Sequence, residues 1–134
     1  MSLNLPQHLF VYGSLKFGCV NHSLLKRSDY VCKAITADRY TVVARAYPLA
    51  QLDPDGKAIF GEIYKIKYAH VLEDIDRLEH NGFFYTRHIR KLYRYTASKE
   101  SILAWVYEIP DLDVYAKMPE CPVSKHLDVY EWTP

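Results

Sequence analysis

Apolar residues recur along this chain mostly in short runs and alternations, the spacing of strands, and only twice at the spacing of a helix. Residues 9–12, Leu-Phe-Val-Tyr, form a continuous apolar run that stops at Gly13 and predict a buried strand. Residues 35–46 are rich in β-branched side chains and tyrosine and contain a second strand. Tyr47-Pro48 breaks it, because proline lacks a backbone donor and restrains its predecessor. The turn signal Asp53-Pro54-Asp55-Gly56 precedes a third strand over 58–66. Two more strands, over 85–95 and 102–109, flank a polar turn at 97–100. Residues 21–26 predict a short helix with Asn21 as its N-cap and Leu24 and Leu25 inward. A longer helical stretch covers 70–82. From Pro110 onward no periodicity is strong, and 110–134 reads as an irregular segment wrapped on a core of 8–109. The whole, 1–134, is expected to form one α+β domain, a small mixed β-barrel of five to six strands with two or more flanking helices.

The longer helix carries one misplaced charge. At about 100° per residue, Val71, Leu72, Ile75 and Leu78 share one apolar arc of about 120°. Glu73 and Arg77 lie on the far side, and Asp74 and Asp76 sit just outside the two edges. Glu79 alone among the acids falls inside the arc, in the last turn before Asn81-Gly82 offers a stop. Burial and the negative end of the helix both disfavour a carboxylate there, so a dry Glu79 has a raised pKa. The alternative is a side chain that curls outward into water or pairs with Arg87 or His88. Only the first arrangement suits a group that takes and returns a proton near neutrality.

Composition narrows the function. The formal charge is +1 with dispersed basic residues, which leaves no electrostatic footprint for nucleic acid or an acidic membrane. No apolar run approaches the roughly 18 residues of a membrane span, and the N-terminus has no signal-peptide pattern. Met1-Ser2-Leu3 has the look of an appended start and carries no weight. Three widely spaced cysteines, Cys19, Cys32 and Cys121, suggest neither a disulfide framework nor a zinc site, and a reducing, cytoplasmic location is expected. The six histidines form no ligand pair, so no metal and no cofactor is expected.

The first strand ends in Tyr12-Gly13-Ser14-Leu15, where successive N–H groups emerge past a sheet and Gly13 allows positive φ and close approach. Such donors can gather as a nest for a carboxylate; a plain Gly-Ser turn is the plainer reading of the four residues alone. Ser14 lacks the frame of a nucleophile elbow, and no phosphate-binding P-loop is present.

Taken together, the stretches become recognisable. "VYGSLKFGCVNHSLL", "YPLAQLDPDGKAIFGEIYKI", "IDRLEHNGFFYTR" and "LAWVYEI" resemble, in order and spacing, segments of the γ-glutamylcyclotransferase superfamily, most of all its γ-glutamylamine cyclotransferase branch. The likeness spans residues 9–108. Ser14 in place of the branch's usual Thr, Pro48-Leu49-Ala50, and His80-Asn81-Gly82 depart from the pattern. The resemblance implies a compact barrel in which amides around Tyr12, Gly13, Ser14 and Leu15 hold the α-carboxylate end of a γ-glutamyl group. It implies Glu79 as the proton-transfer residue. It further implies cyclisation of a γ-glutamyl amide, such as γ-glutamyl-ε-lysine, to 5-oxoproline with release of the amine. The substrate supplies its own nucleophile, the α-amine, so neither a protein nucleophile nor a metal is required.

Other residues have weaker claims. Tyr85 either lines the pocket or packs in the core, and Glu62 is expected to be buried in a structural hydrogen bond. Arg87 has a carboxylate partner or is exposed, and Asn21 reads as a cap rather than a ligand. The expected partner is a small γ-glutamyl molecule; the oligomeric state is not legible. Rival readings are the same fold acting on γ-glutamyl amino acids, glutathione or a γ-glutamyl-acylated metabolite, a non-catalytic binding module, or an interaction protein using its tail.

Overall fold

A computed structural model of the chain describes residues 7–44, 46–79, 85–113, 117–124 and 126–133. Its strands are β1 (His8–Val11), β2 (Asp29–Thr36), β3 (Tyr40–Ala44), β4 (Pro48–Leu52), β5 (Ala58–Lys65), β6 (Thr86–Arg94), β7 (Ser101–Glu108) and β8 (Val129–Tyr130). The helix α1 (Ala69–Glu79) lies between β5 and β6, and a 3-10 helix, His22–Leu25, lies between β1 and β2. Five strands run in the order β1-β7-β6-β2-β5, and β1 pairs with β5 to close the ring. The β1–β7 pair is parallel and the other four pairs are antiparallel, which makes the barrel mixed. Beside it β3 and β4 form a separate antiparallel ribbon.

The unbroken apolar run of the first strand follows from this closure. Leu9 and Val11 face one cluster, with Tyr64, Val71 and Ile75 under α1, while Phe10 and Tyr12 face the other, with Ile63, Leu92 and Val106. A strand buried on both faces has no polar alternation to show. Gly61 marks the seam, since a Cβ there would come within 2.3 Å of the Val11 carbonyl oxygen. Only glycine lets β1 approach β5 so closely.

Several expectations are corrected in detail. The short helix is 3-10, and Asn21 does not cap it with its side chain. The run over 35–46 contains a strand, β3, as expected, and also the end of β2. Thr36 Oγ1 donates to the Asp38 carbonyl at 2.8 Å, the chain turns, and β3 begins at Tyr40. The strand does break ahead of Tyr47-Pro48, at Ala44, but Pro48 also opens β4, a first strand position where proline is tolerated. The tail is not wholly irregular, because β8 pairs in parallel with β5, and Cys121 N–H donates to the Val42 carbonyl at 2.8 Å. The expected stop at Asn81-Gly82 and the segment Met1-Ser2-Leu3 lie outside the described residues.

Candidate active site

The loop after β1 is shaped by its carbonyls. The Gly13 carbonyl accepts from Lys16 N–H at 3.0 Å and the Ser14 carbonyl from Asn21 N–H at 2.9 Å. The Leu15 carbonyl meets His22 Nδ1 at 2.9 Å. Asn21 Nδ2 also donates to Ser14 Oγ at 2.9 Å, so the expected cap residue is instead a clamp on the loop. With three successive carbonyls so engaged, the N–H groups of Gly13, Ser14 and Leu15 have no acceptor among the described residues. Gly13 is not the left-handed residue; Gly18 is, at φ 82°. What Gly13 provides is proximity, since a Cβ there would lie 2.9 and 3.0 Å from Cδ and Cγ of Pro48.

A cavity of about 480 Å³ opens on this loop. Tyr12, Gly13, Ser14 and Leu15 line one part of it, and Glu79 and Tyr85 another, so every residue singled out for the site borders one hollow. Tyr12 is buried, and its hydroxyl donates to the Tyr107 carbonyl at 2.5 Å. Tyr85 does both things left open for it: it lines the cavity and packs edge-on to Tyr107, with centroids 6.5 Å apart. Its hydroxyl donates to the Pro48 carbonyl at 3.0 Å.

Glu79 is half-buried at the end of α1, and burial pushes its carboxyl up from 4.5 to about 7. Neither proposed pairing claims it. Arg87 forks onto Asp76, Nε to Oδ1 at 2.9 Å and Nη2 to Oδ2 at 3.0 Å, and His88 Nε2 meets Thr86 Oγ1 at 2.8 Å. The charge of Glu79 also helps raise the Tyr12 and Tyr107 phenols, after the larger effect of burial. Leu78, expected in the core, is 38% exposed and lines the cavity, because the last turn of α1 overhangs the hollow. Glu62, as expected, is buried, and its Oε1 accepts from Phe17 N–H at 2.9 Å and the Tyr64 hydroxyl at 3.0 Å.

Sequence reasoning missed Asp76 and Tyr107. The Tyr107 hydroxyl donates to Asp76 Oδ1, the atom that also receives Arg87 Nε, and the Arg87 guanidinium lies 4.2 Å from the Trp105 ring centre. The only early signal was the place of Asp76 at the edge of the apolar arc. Among the described residues no three His, Cys, Asp or Glu side chains gather as metal ligands. Among them too, no helix is long and apolar enough to cross a membrane.

Comparison with known proteins gives a consistent picture. The family model described as Gamma-glutamyl cyclotransferase, AIG2-like matches residues 9–131. A protein of Methanocaldococcus jannaschii named "Putative gamma-glutamylcyclotransferase MJ1514" is 32% identical over 106 residues, 78% of this chain and 86% of that one. The "Troponin C-akin-1 protein" of Drosophila melanogaster is 32% identical over 133 residues, 92% of this chain and 75% of that one. Among solved structures, an AIG2-like protein from Mus musculus superposes with a TM-score of 0.76 at 21% identity, covering 96% of this chain and 95% of its own, a likeness of fold.

Proposed function

This chain belongs to the Gamma-glutamyl cyclotransferase, AIG2-like family, and on that premise we propose that it closes a γ-glutamyl amide to 5-oxoproline and releases the amine. The observation that carries the reading is the shared cavity: a carboxyl raised to about 7 borders the same hollow as three amides without acceptors among the described residues. The amides of residues 13–15 hold the substrate's α-carboxylate, which fixes the α-nitrogen near Glu79. Glu79 takes a proton from the α-ammonium. The freed nitrogen attacks the γ-carbonyl carbon, a C–N bond forms within a five-membered ring, the amide C–N bond breaks, and the ring nitrogen sheds its second proton, which leaves with the amine as its ammonium. Glu79 then returns its proton to the departing nitrogen, so one carboxyl serves as base and acid. Positioning of this kind can supply roughly 7–11 kcal/mol of the barrier.

The rest of the cavity favours a leaving amine with no carboxylate on the carbon next to the scissile nitrogen. Ala46, Tyr47, Leu49, Leu78 and Met118 offer an apolar wall. A methylene chain such as that of an ε-linked lysine packs there well, whereas a carboxylate beside the scissile nitrogen would be desolvated against it. The test is a panel of γ-glutamyl compounds assayed for 5-oxoproline by mass spectrometry. γ-Glutamyl-ε-lysine and simple γ-glutamyl alkylamides should yield it faster than γ-glutamyl α-amino acids or glutathione. Free glutamate in its place would mean hydrolysis and overturn the reading, and binding without turnover would reduce the protein to a receptor.

A further inference from the structure

A second cavity, of about 470 Å³, shares no lining residue with the first. It lies between the segment that holds Phe17, His22, Lys26 and Ser28 and the strands β2 and β5. On those strands Lys33 stands opposite Glu62, and Tyr30 opposite Tyr64. Opposite charges facing each other across a ladder ordinarily pair. Here, among the described residues, no ion pair joins them: Lys33 Nζ lies 5.6 Å from the Phe60 ring centre instead. Glu62 is 7% exposed, and both of its hydrogen bonds fall on Oε1, leaving Oε2 without one among the described residues.

The surroundings suit a small ligand bearing both charges. Phe17 meets His22 edge-on at 5.4 Å, His22 meets Tyr64 at 5.6 Å, and Tyr64 meets Tyr30 at 5.6 Å, which makes one connected aromatic surface. Lys26 adds a second cation to the lining. The Ser28 hydroxyl oxygen is buried with no partner among the described residues, a costly state that a ligand would relieve.

We propose that this cavity binds a free α-amino acid, its carboxylate taken by Lys33, Lys26 and the Ser28 hydroxyl and its ammonium by Glu62 and the aromatic faces. A cation alone would meet two lysines, and an anion alone would meet the Glu62 carboxylate; a zwitterion satisfies both ends. An aromatic side chain has Tyr30 and Phe17 to stack on, which are 54% and 77% exposed. The site does not depend on the cyclotransferase reading.

L-Phenylalanine is the probe, titrated into the full ¹⁵N-labelled chain and followed by calorimetry and amide shifts. Binding at millimolar concentration is expected, with shifts clustered at residues 17–33 and 60–64. 2-Phenylethylamine and 3-phenylpropanoate each lack one charge and should bind about tenfold more weakly. Lys33→Gln, an exposed change, should weaken L-phenylalanine by about the same factor while leaving the melting temperature in place. Equal affinity for the three ligands, shifts confined to residues 13–15 and Tyr107, unchanged affinity in Lys33→Gln, or no binding at millimolar concentration would each overturn the site.

Discussion

Glu79 shows how much one side chain's surroundings decide. A carboxyl near the ordinary value would be ionised throughout the neutral range and a poor proton donor; burial brings this one to about 7, where both forms are populated. If it is the base, kcat/KM should climb with pH through a midpoint near 7, and Glu79→Gln should abolish turnover while leaving γ-glutamyl ligand binding nearly intact. Activity retained in that variant would remove the mechanism. The same shift has a consequence for stability. Between the ordinary carboxyl value and about 7, the folded chain holds a proton that the unfolded chain has released, so folding loses stability as pH rises through that window. Glutamine does not titrate. The melting temperature of Glu79→Gln relative to wild type should therefore grow from pH 5 to 7 and level off above, as calorimetry across that range would show. At Gly13 the relevant quantity is space: Gly13→Ala forces a methyl against the rigid Pro48 ring, whose carbonyl holds Tyr85. KM for the γ-glutamyl substrate should rise in that variant, and an unchanged KM would count against the amide cradle.

At the scale of elements, what was legible in the sequence was what is local. The odd position of Glu79 follows from a wheel of nine residues, and β1 from an apolar run of four, because each pattern is complete within its own element. The support of Glu79 is not local. Asp76 sits one turn earlier on α1, Arg87 on β6 and Tyr107 on β7, and nothing in their spacing announces that they meet. Pro48 marks the break after β3 in the sequence, but that it also opens β4 rests on a neighbouring strand that asks nothing of its missing N–H. The triad fastens the last turns of α1 to the barrel wall, which makes Asp76 a positioning residue for Glu79. Asp76→Asn leaves a guanidinium and a phenol competing for a weaker acceptor and should cost about 1.5–3 kcal/mol in denaturant unfolding. Because α1 shifts with it, kcat should fall more than KM changes, and the midpoint of the pH profile should move. A purely structural role would lower stability and leave that midpoint in place.

Across the whole molecule, the two ends of the chain converge on the loop that lines the first cavity. β1 delivers that loop from one end of the sequence, and the far end returns to hold it. Trp132 is 5% exposed in the cluster that contains Phe10 and Tyr12, and its carbonyl accepts from Lys16 Nζ, which also lies 6.0 Å from its ring centre. On the way there, Pro119 and Cys121 bond to β3 and β8 lies along β5, so the tail is tied at two points before Trp132 reaches Lys16. The sequence offered no sign of this, since Trp132 stands in a stretch without periodicity and its partner is 116 residues away. Trp132→Ala should therefore do two separable things. It should destabilise the fold by about 3–5 kcal/mol through the cavity left behind. Lys16 should also lose the ring beside its Nζ while its carbonyl acceptor stays on an unanchored tail, loosening the loop and raising KM more than it lowers kcat. Trp132→Phe, which restores much of the buried volume, should recover most of the stability and most of the KM. If KM follows stability in neither variant, the tail packs on the barrel without bracing the loop.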